Sequence, residues 1–223
     1  FRQPFFAVSC ADLWRRWHMS LMSWFKDYLY IPLGGSRKGK IRQVINNLIV
    51  FTVSGLWHGA AFGYIIWGFL SGVFSVFGNF TKGLREGLME KFPLKGGVFH
   101  SIHTAARMLI TFICFNAALI FFKSPSIEVA LEVAGKIFTG LSFSDIVSTS
   151  FFELGLGTIN FIWLLVALSI LLVVDIIKEK GMDVYTVVTS KPAFIRWGVY
   201  YALLIMIIFS TNIGAASFIY FKF

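Results

Sequence analysis

Residues 44–80 contain no Lys, Arg, Asp or Glu, and within those 37 residues His58 is the one side chain that titrates near neutral pH. A helix needs about 20 apolar residues to cross a hydrocarbon core. A stretch this long therefore holds one long tilted helix or, better, two helical pieces. Ser54-Gly55 and Gly59 flank Leu56-Trp57-His58 as the natural break, and the second piece runs from about Ala60 to Phe80. The chain is 57% hydrophobic and 14% charged, whereas soluble domains have about 25% charged residues. Too few charges remain to cover a water-facing surface. The composition excludes a disordered tail, a collagen-like chain and a disulfide scaffold. The fold class expected is all-α: a multi-pass helical membrane protein.

The remaining segments fit that class. Residues 1–43 are aromatic and basic, with eight Lys/Arg against Asp12 and Asp27. Ser9 to Leu29 is expected to form a helix, with Ser9 and Asp12 as a capping box in which Asp replaces Glu. Trp14, His18, Met22 and Phe25 would share one face. Arg15, Arg16, Lys26 and Asp27 interrupt any apolar length, so this helix is interfacial or re-entrant rather than spanning. Pro32 and Gly34-Gly35 stop it, and Ser36–Arg42 is a basic loop. Residues 81–106 are expected to be a polar loop, 107–122 a short span, 127–141 an amphipathic surface helix, and 159–177 and 197–218 two further spans. The chain opens at Phe1 with no signal peptide and is expected to be part of a longer polypeptide.

The formal charge of +9 would suggest nucleic acid for a soluble protein. Here the Lys and Arg lie between apolar runs, where they set topology and meet anionic headgroups. Membrane lipid, not nucleic acid, is the expected partner. The positive-inside rule puts 81–106 and 178–196 on the cytoplasmic side, 123–158 outside, and the C-terminus outside. Cys10 and Cys114 offer no redox framework.

His58 is the leading candidate for chemistry. An ionisable group at membrane depth is costly and marks function by default. Burial favours the neutral imidazole, the form able to accept a proton. Gly55, Gly59 and Ala60 leave room for a substrate, although a histidine bonded to a neighbouring helix backbone would look the same. His18, beside Arg15 and Arg16, is by itself most simply a headgroup-facing residue. That arginine pair suits phosphate, of lipid or of a nucleotide-bearing donor. His100 and His103 have helical spacing but no evident third ligand, so no metal site is expected. Nucleotide-binding glycine patterns and a G-x-S-x-G elbow are absent.

Several motifs follow one another in a known order. Phe1 to Pro4, Asp12-Leu13-Trp14-Arg15-Arg16-Trp17-His18, Asp27 to Gly35 through Tyr-Ile-Pro-Leu-Gly, Asn47-Leu48 and Gly55-Leu56-Trp57-His58-Gly59-Ala60 resemble the membrane-bound O-acyltransferases. The branch that acetylates bacterial polysaccharides is the most similar. The resemblance is dense over residues 1–72, thin through the middle, and returns at Phe218–Phe223.

This resemblance implies the C-terminal part of a longer many-helix enzyme, with a partial membrane-bound O-acyltransferase fold over residues 1–223. His58 matches the family's essential histidine and His18 its second one, both lining a funnel. Arg15, Arg16, Trp17, Asn47 and Trp57 are carried over as substrate-binding residues. The implied activity moves a small acyl group, acetyl by expectation, from a cytoplasmic thioester toward an extracytoplasmic polysaccharide or an acyl-accepting partner protein. The donor would be acyl-coenzyme A or an acyl carrier protein, with no tightly bound cofactor, in the bacterial cytoplasmic membrane. Base catalysis by a neutral His58 suits acyl transfer to a hydroxyl. His18, Asn46, Asn47 or the Trp57 N–H could polarise the carbonyl, and Arg15, Arg16, Arg37 and Lys38 could contact donor phosphates. The competing readings are a transporter or channel with His58 as proton relay, and an assembly subunit with structural histidines. Paired broken helices, which transporters tend to show, are not evident.

Overall fold

The computed structural model describes residues 1–83, 87, 97–140 and 158–210. Every helix or strand assigned among them is helical. Two compact units, Phe1–Gly140 and Leu141–Phe223, are taken in turn.

The first unit opens with a 3-10 turn, Pro4–Phe6, and then α1, Cys10–Arg16. The Ser9 hydroxyl accepts the Asp12 N–H at 3.1 Å, as the capping motif predicts. The Asp12 carboxylate returns the bond to the N–H of Val8, at 3.3 Å, rather than to Ser9. It also accepts from Arg16 Nε at 3.1 Å.

The single helix expected from Ser9 to Leu29 does not form. The Arg16 carbonyl accepts the N–H of Arg2 at 2.8 Å, so it is taken by a residue outside the helix. Trp17 turns to the extended region and His18 to the left-handed one, with φ 39. Helix α2, Met19–Phe25, starts afresh and runs into a π-helical turn, Lys26–Tyr30. Trp14 and His18 therefore do not share a helix face. Gly34 and Gly35, both at positive φ, carry the chain onward. The fully buried Asn46 ties this turn down, donating from Nδ2 to the carbonyls of Gly35 at 2.9 Å and Leu33 at 3.3 Å.

The uncharged stretch folds as two helices: α3, Lys40–Trp57, and α4, Phe62–Phe80. The break lies at 58–61, where Gly59 has φ 149. Ser54 and Gly55, expected to belong to the break, stay inside α3. Gly55 instead gives up its side chain for contact: a Cβ there would collide with the Tyr64 carbonyl of α4 and stand 3.3 Å from Gly68 Cα. Such close approach without a methyl group in the way is a mode of packing typical of membrane helices.

Helix α5, Gly97–Lys123, starts ten residues before the expected 107–122 span and takes His100 and His103 out of the supposed loop. Helix α6, Ile127–Thr139, is capped by Ser126, close to the expected amphipathic segment. The core gathers Leu13 and Trp14 of α1, Phe51 of α3, Trp67 of α4, and Phe115 and Ala118 of α5.

The second unit has α7, Thr158–Glu179, α8, Val184–Thr189, and α9, Ala193–Ser210. Helix α8 lies within the expected basic loop, capped by Asp183, which accepts the Thr186 N–H at 3.0 Å. No residue of α7 is buried, and most of its Leu, Ile and Val side chains are exposed. The end of the 197–218 span, the Phe218–Phe223 motif, most of 84–96 and all of 141–157 lie outside the described residues. Phe62–Phe80, Phe99–Lys123 and Thr158–Glu179 are long and apolar enough to cross a membrane. The chain is an all-α membrane protein.

Candidate functional site

His58 ends α3 and begins the turn into α4, its N–H bonded to the Gly55 carbonyl at 3.0 Å. Gly59 must be glycine: its φ of 149 is hostile to a side chain, and a Cβ would lie 2.8 Å from the Tyr64 ring. The half-buried imidazole sits among four aromatic rings. Its centroid is 5.0 Å from Trp57, 5.2 Å from Trp67, 5.1 Å from Phe122 and 6.4 Å from Tyr64. Three elements (the end of α3, the start of α4 and the end of α5) thus hold one ring.

His18 lies 40 positions earlier in the sequence. Its ring lies 4.4 Å from Phe1 and 5.9 Å from Trp17. Partial burial holds its pKa below the ordinary imidazole value, so it is mostly neutral at pH 7. Trp17 packs on Phe115 at 5.1 Å. Trp14 connects the elements, touching Phe51 at 5.2 Å, Trp67 at 5.7 Å and Phe115 at 6.3 Å. Through Trp67 this aromatic chain reaches His58.

Two cavities adjoin α1. The first, about 400 Å³, is lined by Arg15, Arg16, Lys82, His103 and Arg107, with Asp12 as its carboxylate. Asp12 pairs with both arginines, at 3.5 Å to Arg15 and 3.1 Å to Arg16. Arg107 Nε donates to the Val8 carbonyl at 3.1 Å. The charge excess suits an anion. The second, about 430 Å³, is lined by Met22, Lys26, Tyr30, Asn47 and Phe51. Arg15 and Asn79 line both. A third cleft, about 550 Å³, lies at the other end of α4 between Phe62, Tyr64, Phe122, Lys123 and Glu128. It is next to His58 through the Tyr64 and Phe122 rings.

The seven expected site residues are thus divided. His58 and Trp57 lie in one aromatic cluster, and His18 and Trp17 in another beside Phe1 and Phe115. Arg15, Arg16 and Asn47 line the cavities beside α1, and neither histidine lines any of these three spaces. Asn46 is occupied with the 33–35 turn, while Arg37 and Lys38 are exposed. Sequence reasoning missed Lys82, His103, Arg107 and Trp67. Arg107 carried a signal, a lone arginine just inside an apolar run; Trp67 carried none. Among the described residues no three His, Cys, Asp or Glu side chains gather as metal ligands.

A model of the membrane-bound O-acyltransferase family matches residues 1–124. The chain is 38% identical over 135 residues to the peptidoglycan O-acetyltransferase of Helicobacter pylori, covering 60% of this chain and 23% of that protein. It is 35% identical over 145 residues to the probable alginate O-acetylase AlgI of Pseudomonas putida, covering 65% and 27%. It is 36% identical over 89 residues to the teichoic acid D-alanyltransferase of Bacillus subtilis, covering 37% and 22%. The chain spans about a quarter of the length of these curated relatives. With more than half of its residues matched by the family model, including both histidines and the basic α1 segment, the chain belongs to the membrane-bound O-acyltransferase family.

Proposed function

We propose that this chain carries the catalytic part of a multi-pass acyltransferase of the bacterial cytoplasmic membrane. A small acyl group, acetyl as in the names of most similar relatives, passes from a cytoplasmic thioester to a hydroxyl of an extracytoplasmic polysaccharide or of an acyl-accepting partner protein. The observation that carries this reading is His58 held in an enclosure of Trp57, Tyr64, Trp67 and Phe122, with an anion-suited cavity toward the other end of α4.

His58 is the general base. It takes the proton of the attacking hydroxyl and returns it to the departing thiolate, so the imidazole ends neutral. Such a group contributes roughly 10²- to 10⁴-fold. His18 and Trp57 flank the reacting group and orient it. Arg15 and Arg16, with Lys82 and Arg107, hold donor phosphate, and Asn47 lines the passage beyond Arg15. Along α4, Asn79 lies 12 residues from Trp67, about 18 Å at helical rise. A donor anchored by phosphate at one end must therefore carry its acyl group on a long flexible arm. A pantetheine arm, common to coenzyme A and acyl carrier proteins, is of that kind. The topology read from the basic loops puts the cavity of Lys82 and Arg107 on the cytoplasmic side and the cleft of Lys123 and Glu128 on the other.

The test is replacement of His58 by Gln or Ala in the full chain. Thioester-dependent acyl transfer is expected to fall by at least about 10²-fold, with insertion and melting temperature little changed. Transfer at the unaltered rate would remove His58 from the mechanism, and the reading with it.

A further inference from the structure

Trp67 is 5% exposed, and its indole N–H has no hydrogen-bond partner among the described residues. A buried donor left unpaired costs about 1–3 kcal/mol, so such a group calls for a role. Its ring neighbours cannot supply one. They are Trp14 at 5.7 Å, Phe122 at 5.0 Å and His58 at 5.2 Å. The indole of Trp14 has no acceptor, and Phe122 has no polar atom. A neutral His58 has a single lone-pair nitrogen. That lone pair must stay free if the imidazole is to accept a proton.

We propose that the Trp67 N–H is a catalytic hydrogen-bond donor that receives the acyl carbonyl oxygen as it becomes an oxyanion. This rests on the acyl-transfer reading above. The substrate hydroxyl oxygen forms a bond to the carbonyl carbon. The carbonyl π pair moves to oxygen, facing the Trp67 N–H, and the hydroxyl proton goes to His58. When the carbonyl re-forms, the carbon–sulfur bond breaks, and the thiolate takes the proton back from His58. Thioester and alcohol become ester and thiol, with no other reactant.

The placement suits the task. Base and donor lie side by side, one on the end of α3 and one a turn and a half into α4. The oxyanion is served by a dry donor that needs no reorganisation when charge develops. Phe122 covers Trp67 on one side and lines the cleft of Lys123 on the other.

The experiment replaces Trp67 by Phe in the full chain, and separately by 3-benzothienylalanine, which keeps the two-ring shape with sulfur in place of N–H. The rate at which alkali-labile O-acyl esters appear on surface polysaccharide is followed in cells, and melting temperature on purified protein. Both variants are expected to lose about 10²- to 10³-fold in rate, as for removal of one oxyanion donor, with melting temperature equal or higher. The inference is overturned if either variant acylates at the wild-type rate, if the benzothienyl variant alone regains the rate, or if both variants melt lower. His58→Gln, run in parallel, separates the levels. If it abolishes acylation while Trp67→Phe does not, only the donor role fails. If it does not, or if wild-type cells form no such esters, the acyl-transfer reading fails and takes this inference with it.

Discussion

Gly68 tests whether the close contact of α3 and α4 is what holds His58 beside Trp67. A Cβ there would collide with the Phe51 carbonyl and stand 3.0 Å from Gly55 N and 3.1 Å from Gly55 Cα. All three are backbone atoms, so no side-chain rotation relieves the clash. Carbon contacts settle at about 3.5–4.0 Å, so Gly68→Ala must push the helices apart by roughly half an ångström or more. Overpacking of this kind costs about 1–3 kcal/mol, while alanine in place of glycine gains up to about 1 kcal/mol of helix propensity. With the full propensity gain the expected net loss is about 0–2 kcal/mol. Gly135→Ala on α6 is the matched control: nothing lies within 4 Å of its would-be Cβ, so it shows the propensity gain alone. The two variants should therefore differ by the overpacking cost, about 1–3 kcal/mol, in unfolding measured in nanodiscs. Acyl transfer should fall further than stability does, because misplacing a catalytic group by about 1 Å costs up to ~10²-fold. Gly68→Ala indistinguishable from Gly135→Ala in both assays would refute the reasoning.

Other consequences are checked more briefly. Asp12→Ala removes the acceptor for Val8 N–H and Arg16 Nε and should destabilise the α1 region by about 1–2 kcal/mol, visible as faster amide exchange over residues 8–16. Asn46→Ala frees the Leu33 and Gly35 carbonyls, costing about 1–3 kcal/mol; limited proteolysis should then cut within 33–39 before any helix. Burial, and after it the neighbouring Cys114, pushes the Cys10 thiol up to about 12. Because the thiolate is the reactive form, alkylation of Cys10 by iodoacetamide should be slow at pH 8 and rise about tenfold per pH unit toward that value. Reaction at the rate of a free cysteine at pH 8 would contradict it.

Some of this was legible in the sequence and some could not be. The Ser9 cap, the α6 and α7 helices and the two-piece folding of 44–80 follow from local patterns. Gly55 and Gly59 look alike in sequence, yet one closes a helix-to-helix contact and the other makes a turn. Only the fold tells which: Gly55 stands against the Tyr64 carbonyl and Gly68 Cα, whereas Gly59 has φ 149 and faces the Tyr64 ring. The stop at Trp17 and His18 has no glycine or proline to announce it; in the fold the Arg16 carbonyl is bonded by Arg2, 14 positions earlier. The basic cavity joins residues 8–16, 78–82 and 103–107, a grouping no local window contains. The motif histidines were found, but the separate aromatic neighbours of each, and the orphan N–H of Trp67 beside His58, belong to tertiary packing alone.

The main chain at position 18 sits where few amino acids are comfortable. Histidine, asparagine and aspartate visit that conformation several times more often than other non-glycine residues, whereas a branched side chain would be strained by about 1–3 kcal/mol. A valine or isoleucine scan there would report bending of the α1–α2 junction and be mistaken for lost chemistry. Asparagine keeps the junction and deletes only the imidazole, which makes it the replacement from which any contribution of that ring can be measured without distortion.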